Sequence, residues 1–203
     1  MRVRRVISVV AVAAILAAGL TACQVRVGAA AFVGTTKIGE STVQTYLTPS
    51  ATTVQQQDPS TGQTSTLNPK TLVLSSLITQ DLFTRALAAS PGGPPTSAEL
   101  SVAHSDVLQQ LLQGSDEATF AQGIAKYGFK ASFAPLYVHA NELEDVLGRR
   151  LKAQSAADLT NAIAALHLQV DVSPRYGSWD ASQLSIGGAS TDYLKSVPLV
   201  ANG

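Results

Sequence analysis

Few side chains in this chain could do covalent or metal chemistry. Its 203 residues include one Cys and three His. One Cys cannot close an internal disulfide or build a cysteine-rich zinc site. His139 and Glu142 lie three residues apart on one face of a predicted helix, but a metal site needs a further ligand that this spacing does not supply.

No motif of a common enzyme class is present either. The sequence has no nucleophile elbow, phosphate-binding loop, dinucleotide fingerprint or paired-cysteine motif. Glu142, Glu144 and Asp145 are too close in sequence to form an acid/base pair, and we expect them on the outer, solvated face of a helix. We therefore expect no metal, no cofactor and no enzymatic activity.

The N-terminus has the pattern of an exported protein. Arg2, Arg4 and Arg5 precede fifteen uncharged residues at positions 6–20. A basic start followed by an apolar run is the anatomy of a secretory signal peptide.

The end of this run predicts a lipid anchor. Leu20, Thr21 and Ala22 stand directly before Cys23, a pattern that resembles the bacterial lipobox, in which the Cys thiol receives a diacylglyceryl group before cleavage. Small residues suit a cleavage site that must accept an extended backbone, and the thiol is the nucleophile that takes the lipid. We predict that residues 1–22 are a lipoprotein signal peptide and that Cys23 is acylated.

Two alternatives remain open for the N-terminus. Residues 6–25 could be a retained membrane span, because twenty residues without a charge just cross a bilayer. A plain signal peptide cleaved earlier would leave Cys23 as a free thiol in an oxidising compartment. The lipoprotein and the retained span both place the rest of the chain on the extracytoplasmic face of the cell membrane, since basic residues before an apolar run stay inside.

The charge balance excludes one class of partner. The whole chain has 14 basic and 14 acidic residues and a pI near 6.8. Loss of residues 1–22 removes three Arg and no acid, which leaves a mildly acidic body. Binding to nucleic acid depends on a basic face, so we expect no nucleic-acid partner.

Start and stop signals divide the body into six predicted helices. Asn68 before Pro69 is a helix cap followed by a proline that suits the first turn. Thr96 and Glu99 form the spacing of a capping box, and Ser155 with Asp158 repeats it. The other three helices are predicted to begin after Gly39, after Ser115 and near Pro135.

Extended segments are predicted at both ends of the body. Residues 29–33 are short and apolar, and Gly34 begins a turn into Lys37 and Ile38. Residues 168–172 alternate between apolar and polar side chains, as a half-buried strand does. The fold class is therefore mostly α with a small β element, and we predict that the first strand pairs with the late one.

Two segments are predicted to lack regular structure. Residues 48–67 are nearly all Thr, Ser, Gln, Pro and Gly, so they lack the apolar surface that offsets ordering entropy. We expect a mobile loop there. Residues 181–203 are expected to be a disordered tail, which leaves 23–180 as the domain.

The order of these elements and the segment at 170–180 resemble a known family. The segment reads Val-Asp-Val-Ser-Pro-Arg-Tyr-Gly-Ser-Trp-Asp, and it is similar to the closing motif of the N-terminal domain of the SurA and PrsA group of exported folding factors, in particular their actinobacterial lipoprotein members. The resemblance covers residues 29–180, with Ser173 in place of the usual Asn. It implies a helical, chaperone-like body. The parvulin isomerase domain common in that group has no room here, because the last helix runs directly into the late strand.

The same motif has a structural interpretation. Pro174 ends a strand, Gly177 permits a turn, and Trp179 can cover the core edge. Arg175 could pair with a carboxylate or stack on Tyr176 or Trp179. We interpret these five residues as a structural corner of the fold.

Two functional hypotheses follow. The first is chaperone-like binding of unfolded or extended exported polypeptides, with an apolar groove formed by the local aromatic cluster of Phe120, Tyr127, Phe133 and Tyr137; the alternative for these four side chains is the core. The second is a structural or interaction lipoprotein that docks one specific envelope partner. The sequence leaves the identity of the partner and the oligomeric state open.

Overall fold

A computed structural model describes residues 27–57, 64–112 and 114–187. The predicted signal peptide, the lipobox and Cys23 lie outside the described residues. Within them the chain forms six helices and seven short strands. The fold is mostly α with a small antiparallel sheet, which confirms the predicted class.

The six helices follow the predicted order. They are α1 (Glu40–Thr45), α2 (Pro69–Ala89), α3 (Ser97–Leu111), α4 (Glu117–Ala125), α5 (Phe133–Leu151) and α6 (Ala156–Ala164). The central helix α5 packs against α2 and α3, and α6 packs on α5 and α2.

Local capping explains where α2 and α3 begin. The Asn68 side chain accepts hydrogen bonds from the backbone N–H groups of Lys70 and Thr71 at 3.1 and 3.4 Å. At α3 the Thr96 N–H donates to the Glu99 carboxylate at 2.8 Å, and the Glu99 N–H donates to the Thr96 hydroxyl at 3.2 Å. Each cap satisfies donors that the helix itself cannot.

The main sheet joins the two ends of the body. Its strands are β1 (Ala29–Val33), β2 (Thr36–Gly39) and β5 (Val170–Val172), in the order β2-β1-β5. β1 pairs antiparallel with β5, so that Ala31 faces Val172 and Val33 faces Val170. The predicted pairing of the first and last extended segments is confirmed.

Part of the predicted loop is a hairpin. β3 (Val54–Gln57) pairs antiparallel with β4 (Thr64–Leu67), inside the segment 48–67 that we expected to be irregular throughout. The expectation relied on side-chain polarity, whereas a ladder depends on backbone hydrogen bonds that polar Thr and Gln side chains do not prevent. Residues 58–63 lie outside the described residues.

The predicted boundary between the domain and the disordered tail, at residue 180, is placed too early in the sequence. β6 (Trp179–Asp180) pairs with β7 (Ser185–Ile186), beyond the predicted boundary at residue 180. Ile186 is fully buried, and its N–H donates to the Ser75 hydroxyl on α2 at 3.3 Å. The domain therefore extends to at least Gly187, and residues 188–203 lie outside the described residues.

Arg150 fastens α5 to the turn between α2 and α3. Its guanidinium donates to both Glu99 carboxylate oxygens at 2.8 Å and to the carbonyl oxygen of Gly93. The Arg150 hydrogen bond, with those from Thr96, lowers the pKa of Glu99 from 4.5 to about 2. This bidentate ion pair and the hydrogen bond to Gly93 stabilise the Pro- and Gly-rich turn between α2 and α3.

Candidate functional site

Three of the four predicted groove aromatics are core residues. Phe120, Phe133 and Tyr137 are at most 3% exposed. The Phe133 ring centroid lies 4.5 Å from that of Phe129 and 5.8 Å from that of Tyr137, and Phe120 stacks on Tyr137 at 5.8 Å. The prediction of an accessible groove is wrong for Phe120 and Phe133, because both are buried, whereas Tyr137 also lines a small cavity between α2, α5 and α6.

Tyr127 differs from the other three aromatics. It is half-buried, and the Lys126 ammonium lies 5.0 Å from the centroid of its ring. The other three aromatics lie on the apolar faces of α4 and α5, which pack inward. Sequence spacing identifies such a face, but it does not show whether the face is buried or lines an open groove.

A groove does exist, further along α5 towards its C-terminus. It lies between α3, α5 and α6 and encloses about 710 Å³; we call it the α5 groove. Val107, Leu111 and Leu159 form its apolar part, and Val107 is only 5% exposed. Gln110 and Gln154 contribute exposed carboxamides to its rim.

The α5 side of this groove is one helical stripe. Asn141, Asp145, Gly148 and Lys152 line the groove, and their spacing of four, three and four residues places them on a single face. A Cβ on Gly148 would lie 3.9 Å from the Leu159 side chain, so glycine lets α6 approach closely. This mixed polar stripe with an internal glycine is the signal in the sequence that could have located the groove.

Arg149 links the two walls of the α5 groove. Its guanidinium lies 2.6 Å from the Asp145 carboxylate on its own helix and also donates to the Asp106 carboxylate on α3. All three side chains are partly exposed, between 26% and 42%, so solvent screens these pairs. The result is a rim with both signs of charge close together.

A smaller cavity continues on the other side of α6. It encloses about 260 Å³ between α2, α5 and α6, and residues 182–184 form part of its wall. It shares Asn141, Glu144 and Leu159 with the α5 groove. The two spaces are therefore neighbours, separated by residues that line both.

His104 completes a cluster that the sequence spacing did not reveal. Its Nδ1 lies 2.7 Å from one Glu142 oxygen, and the His139 Nδ1 lies 2.9 Å from the other. Glu117 is further away, at 3.9 Å from His104. Glu142 is 8% exposed, which corrects the expectation that it lies on the solvated face.

These hydrogen bonds connect α3 to α5, but they do not form a metal-binding geometry, in which several ligands surround one central position. Each Glu142 oxygen faces a different imidazole, and the His104 and His139 side chains are about 40% exposed. Across residues 27–57, 64–112 and 114–187, no three His, Cys, Asp or Glu side chains are placed to hold a metal ion.

The motif after β5 contacts the start of the body. The Tyr176 hydroxyl donates to Glu40 Oε1 at 2.7 Å, and the Arg175 guanidinium lies 3.4 Å from Glu40 Oε2. Burial, together with the hydrogen bond to Glu40, raises the pKa of the Tyr176 hydroxyl. These contacts join the late strand to α1.

The rest of the motif forms the turn that leads into the last hairpin. Pro174 follows β5 directly, and Gly177 has φ +110°, a backbone conformation that favours glycine. A Cβ at this position would lie 3.4 Å from the Ile186 side chain. Trp179 then pairs with Ile186 across β6 and β7.

No protein-family model, no curated protein and no solved structure matches the chain.

Proposed function

We propose that this chain is a membrane-anchored extracytoplasmic lipoprotein that binds unfolded or extended exported polypeptides in a chaperone-like way, without isomerase activity. The α5 groove is the proposed binding site. It replaces the aromatic cluster, because Phe120, Phe133 and Tyr137 are core residues.

The lining of the α5 groove is the observation that carries this proposal. An extended polypeptide offers apolar side chains together with backbone N–H and C=O groups. Val107, Leu111 and Leu159 supply apolar surface, and the carboxamides of Gln110 and Gln154 can both donate to and accept from a backbone. Such contacts do not depend on one client sequence, so binding would be weak and tolerant of different clients.

The anchor is proposed from the N-terminal sequence. None of the helices in the described ranges is long and apolar enough to cross a membrane. Two or more acyl chains on Cys23 would hold the protein stably, since each buried methylene contributes about 0.8 kcal/mol. The proposed location is the extracytoplasmic face of the cell membrane.

Suppression of client aggregation tests the proposed binding. The lipidated protein in nanodiscs, in several-fold excess over an unfolded client, should slow aggregation measured by light scattering. Leu159→Asp places a charge in the groove and should abolish the effect. Val102→Asp adds the same charge on α3 at a side chain that is 50% exposed and outside the groove, and it should leave the effect intact.

A second variant is needed because Leu159→Asp could destabilise the packing of α6 as well as change the groove. Gln110→Arg changes an exposed rim residue and should weaken client binding while circular dichroism stays that of the parent. If the parent protein does not slow aggregation, or if both groove variants retain full activity, the chaperone-like proposal is wrong.

A second candidate function is docking to one specific envelope partner. Two observations favour it. In the described ranges the exposed large apolar side chains are Val27, Val102 and Leu151, which is little apolar surface for general client binding. The Arg149 pairs also give the groove rim a particular charge pattern, which favours a matching partner.

Crosslinking in intact cell envelopes separates the two functions. A photo-crosslinker at Gln110 should capture many unrelated exported proteins if binding is chaperone-like. One stoichiometric partner would favour the docking function instead.

A further inference from the structure

We propose that the end of the main sheet where β1 begins lies directly against an anionic phospholipid surface, with Val27, Lys37 and Arg175 as the contacting side chains. The inference rests on the lipid anchor at Cys23 proposed above. It adds which face of the body meets the membrane and which headgroup charge that face prefers.

The length of the link limits how far the body can stand from the bilayer. Only Gln24, Val25 and Arg26 separate Cys23 from Val27. Four fully extended peptide units span at most about 14 Å, whereas a domain of this size has a radius of gyration of about 15 Å. The region around Val27 must therefore stay near the headgroups. Most of the body extends further from the bilayer, because its dimensions exceed the length of the link.

Val27 is fixed to the sheet and is not part of a loose spacer. The Lys37 ammonium donates to the Val27 carbonyl oxygen at 2.8 Å. The next residue, Gly28, accepts a hydrogen bond from the Glu40 N–H at 2.8 Å. An acyl chain on Cys23 would therefore orient the whole sheet, because its first strand is bonded in place within a few residues of the anchor.

The side chains at this end have the chemistry of an interfacial contact. Val27 is 75% exposed, the highest value among the large apolar side chains in the described ranges. Two residues further along, at Ala29, the Arg175 side chain donates to the carbonyl oxygen at 3.5 Å, and it is 55% exposed. An exposed apolar side chain with cations at the same end of the sheet fits the boundary between acyl chains and anionic headgroups.

Glu40 pairs with only one of the two cations, Arg175. Glu40 accepts the Tyr176 hydroxyl and lies 3.4 Å from Arg175, with 29% of its side chain exposed. Lys37 makes its contact with a neutral carbonyl group. Each cation near an anionic surface raises binding about fivefold.

Tryptophan quenching in vesicles tests this orientation. The chain has one Trp, so Trp179→Phe provides a background without tryptophan fluorescence. Val27→Trp on that background places a probe at the proposed contact, and Val102→Trp places one on α3 with 50% exposure at the original side chain. The full lipidated chain is inserted into phosphatidylglycerol vesicles with brominated acyl chains.

We expect the Val27→Trp probe to be quenched at least threefold more than the Val102→Trp probe. Equal quenching of the two probes would overturn the orientation. Quenching at Val27 should also fall in vesicles of phosphatidylcholine alone or at high salt, because both remove the attraction to the cations. The same quenching in both lipids and at both salt concentrations would overturn the preference for anionic headgroups.

Mass spectrometry of the same samples separates this inference from the anchor. Acylated Cys23 with equal quenching of the two probes contradicts only the orientation. An unmodified Cys23 overturns the proposed anchor, and the orientation inferred from it is overturned as well.

Discussion

Replacing Phe133 by Ala tests whether the aromatic cluster is core or binding surface. Phe133 is fully buried and lies between the rings of Phe129 and Tyr137, at centroid distances of 4.5 and 5.8 Å. Truncation of a buried Phe removes its transfer free energy and leaves a cavity, which together cost about 3–5 kcal/mol. Loss of two aromatic contacts places the expected cost toward the upper end of this range.

Chemical denaturation followed by circular dichroism measures this cost. For a domain of this size, the same change lowers the thermal midpoint by roughly 6–20 °C. Val102→Ala is the matched control, because Val102 is 50% exposed and its truncation should change the free energy of unfolding by less than about 0.5 kcal/mol. A Phe133→Ala variant with nearly parental stability but without client binding would refute the core assignment.

Three further predictions concern single contacts. Tyr176→Phe removes the hydrogen bond to the Glu40 carboxylate and should lower the free energy of unfolding by about 1.5–3 kcal/mol; unchanged stability in urea would contradict this. The pKa of Glu99 is about 2 in the folded protein, below its ordinary 4.5, so its stabilising contribution is complete above pH 4.5 and is lost as the pH falls toward 2. Thermal midpoints measured from pH 7 to pH 2 should therefore fall less steeply in Glu99→Gln, and parallel curves would exclude this role. Gly128 has φ +87° and a Cβ there would lie 2.4 Å from a backbone atom, whereas Gly93 has φ +67° and open space, so Gly93→Ala should cost about 1–2 kcal/mol and Gly128→Ala clearly more; equal losses on denaturation would argue against the clash.

Features that depend on neighbouring residues were predictable from the sequence. The caps at Asn68 and Thr96 form as expected, because each bond joins residues two or three positions apart. The pairing of β1 with β5 was also predicted, although 137 positions separate the paired Val33 and Val170. It could be predicted because both segments carry a strand pattern and each needs a partner for its backbone groups.

Features that depend on which helix faces pack against each other were not predictable from the sequence. The aromatic stripe of α4 and α5 was assigned to a groove, yet Phe120 and Phe133 are covered by neighbouring elements. The polar stripe of α5, in contrast, lines the groove. Hydrophobic spacing shows that a helix has two faces, but it does not show how completely other elements cover the apolar one.

The hairpins mark a second limit of sequence reasoning. The polar segment that contains β3 and β4 was expected to be irregular, and the segment that contains β7 was expected to be disordered. In both cases composition argued against a packed core, but a strand needs only a partner backbone. For Ile186 the partner surface is α2, and nothing near Ile186 in sequence indicates it.

By itself the sequence determined the capped starts of α2 and α3 and the strand at each end of the body, because these patterns are local; the export pattern before Cys23 stays a prediction. Only the tertiary structure decided that Glu142 joins His104 to His139, that Arg150 holds the turn before α3, and that the open concave surface is the α5 groove. These features arise where helices distant in sequence come together. Their energies depend on burial and orientation that the chain acquires only on folding.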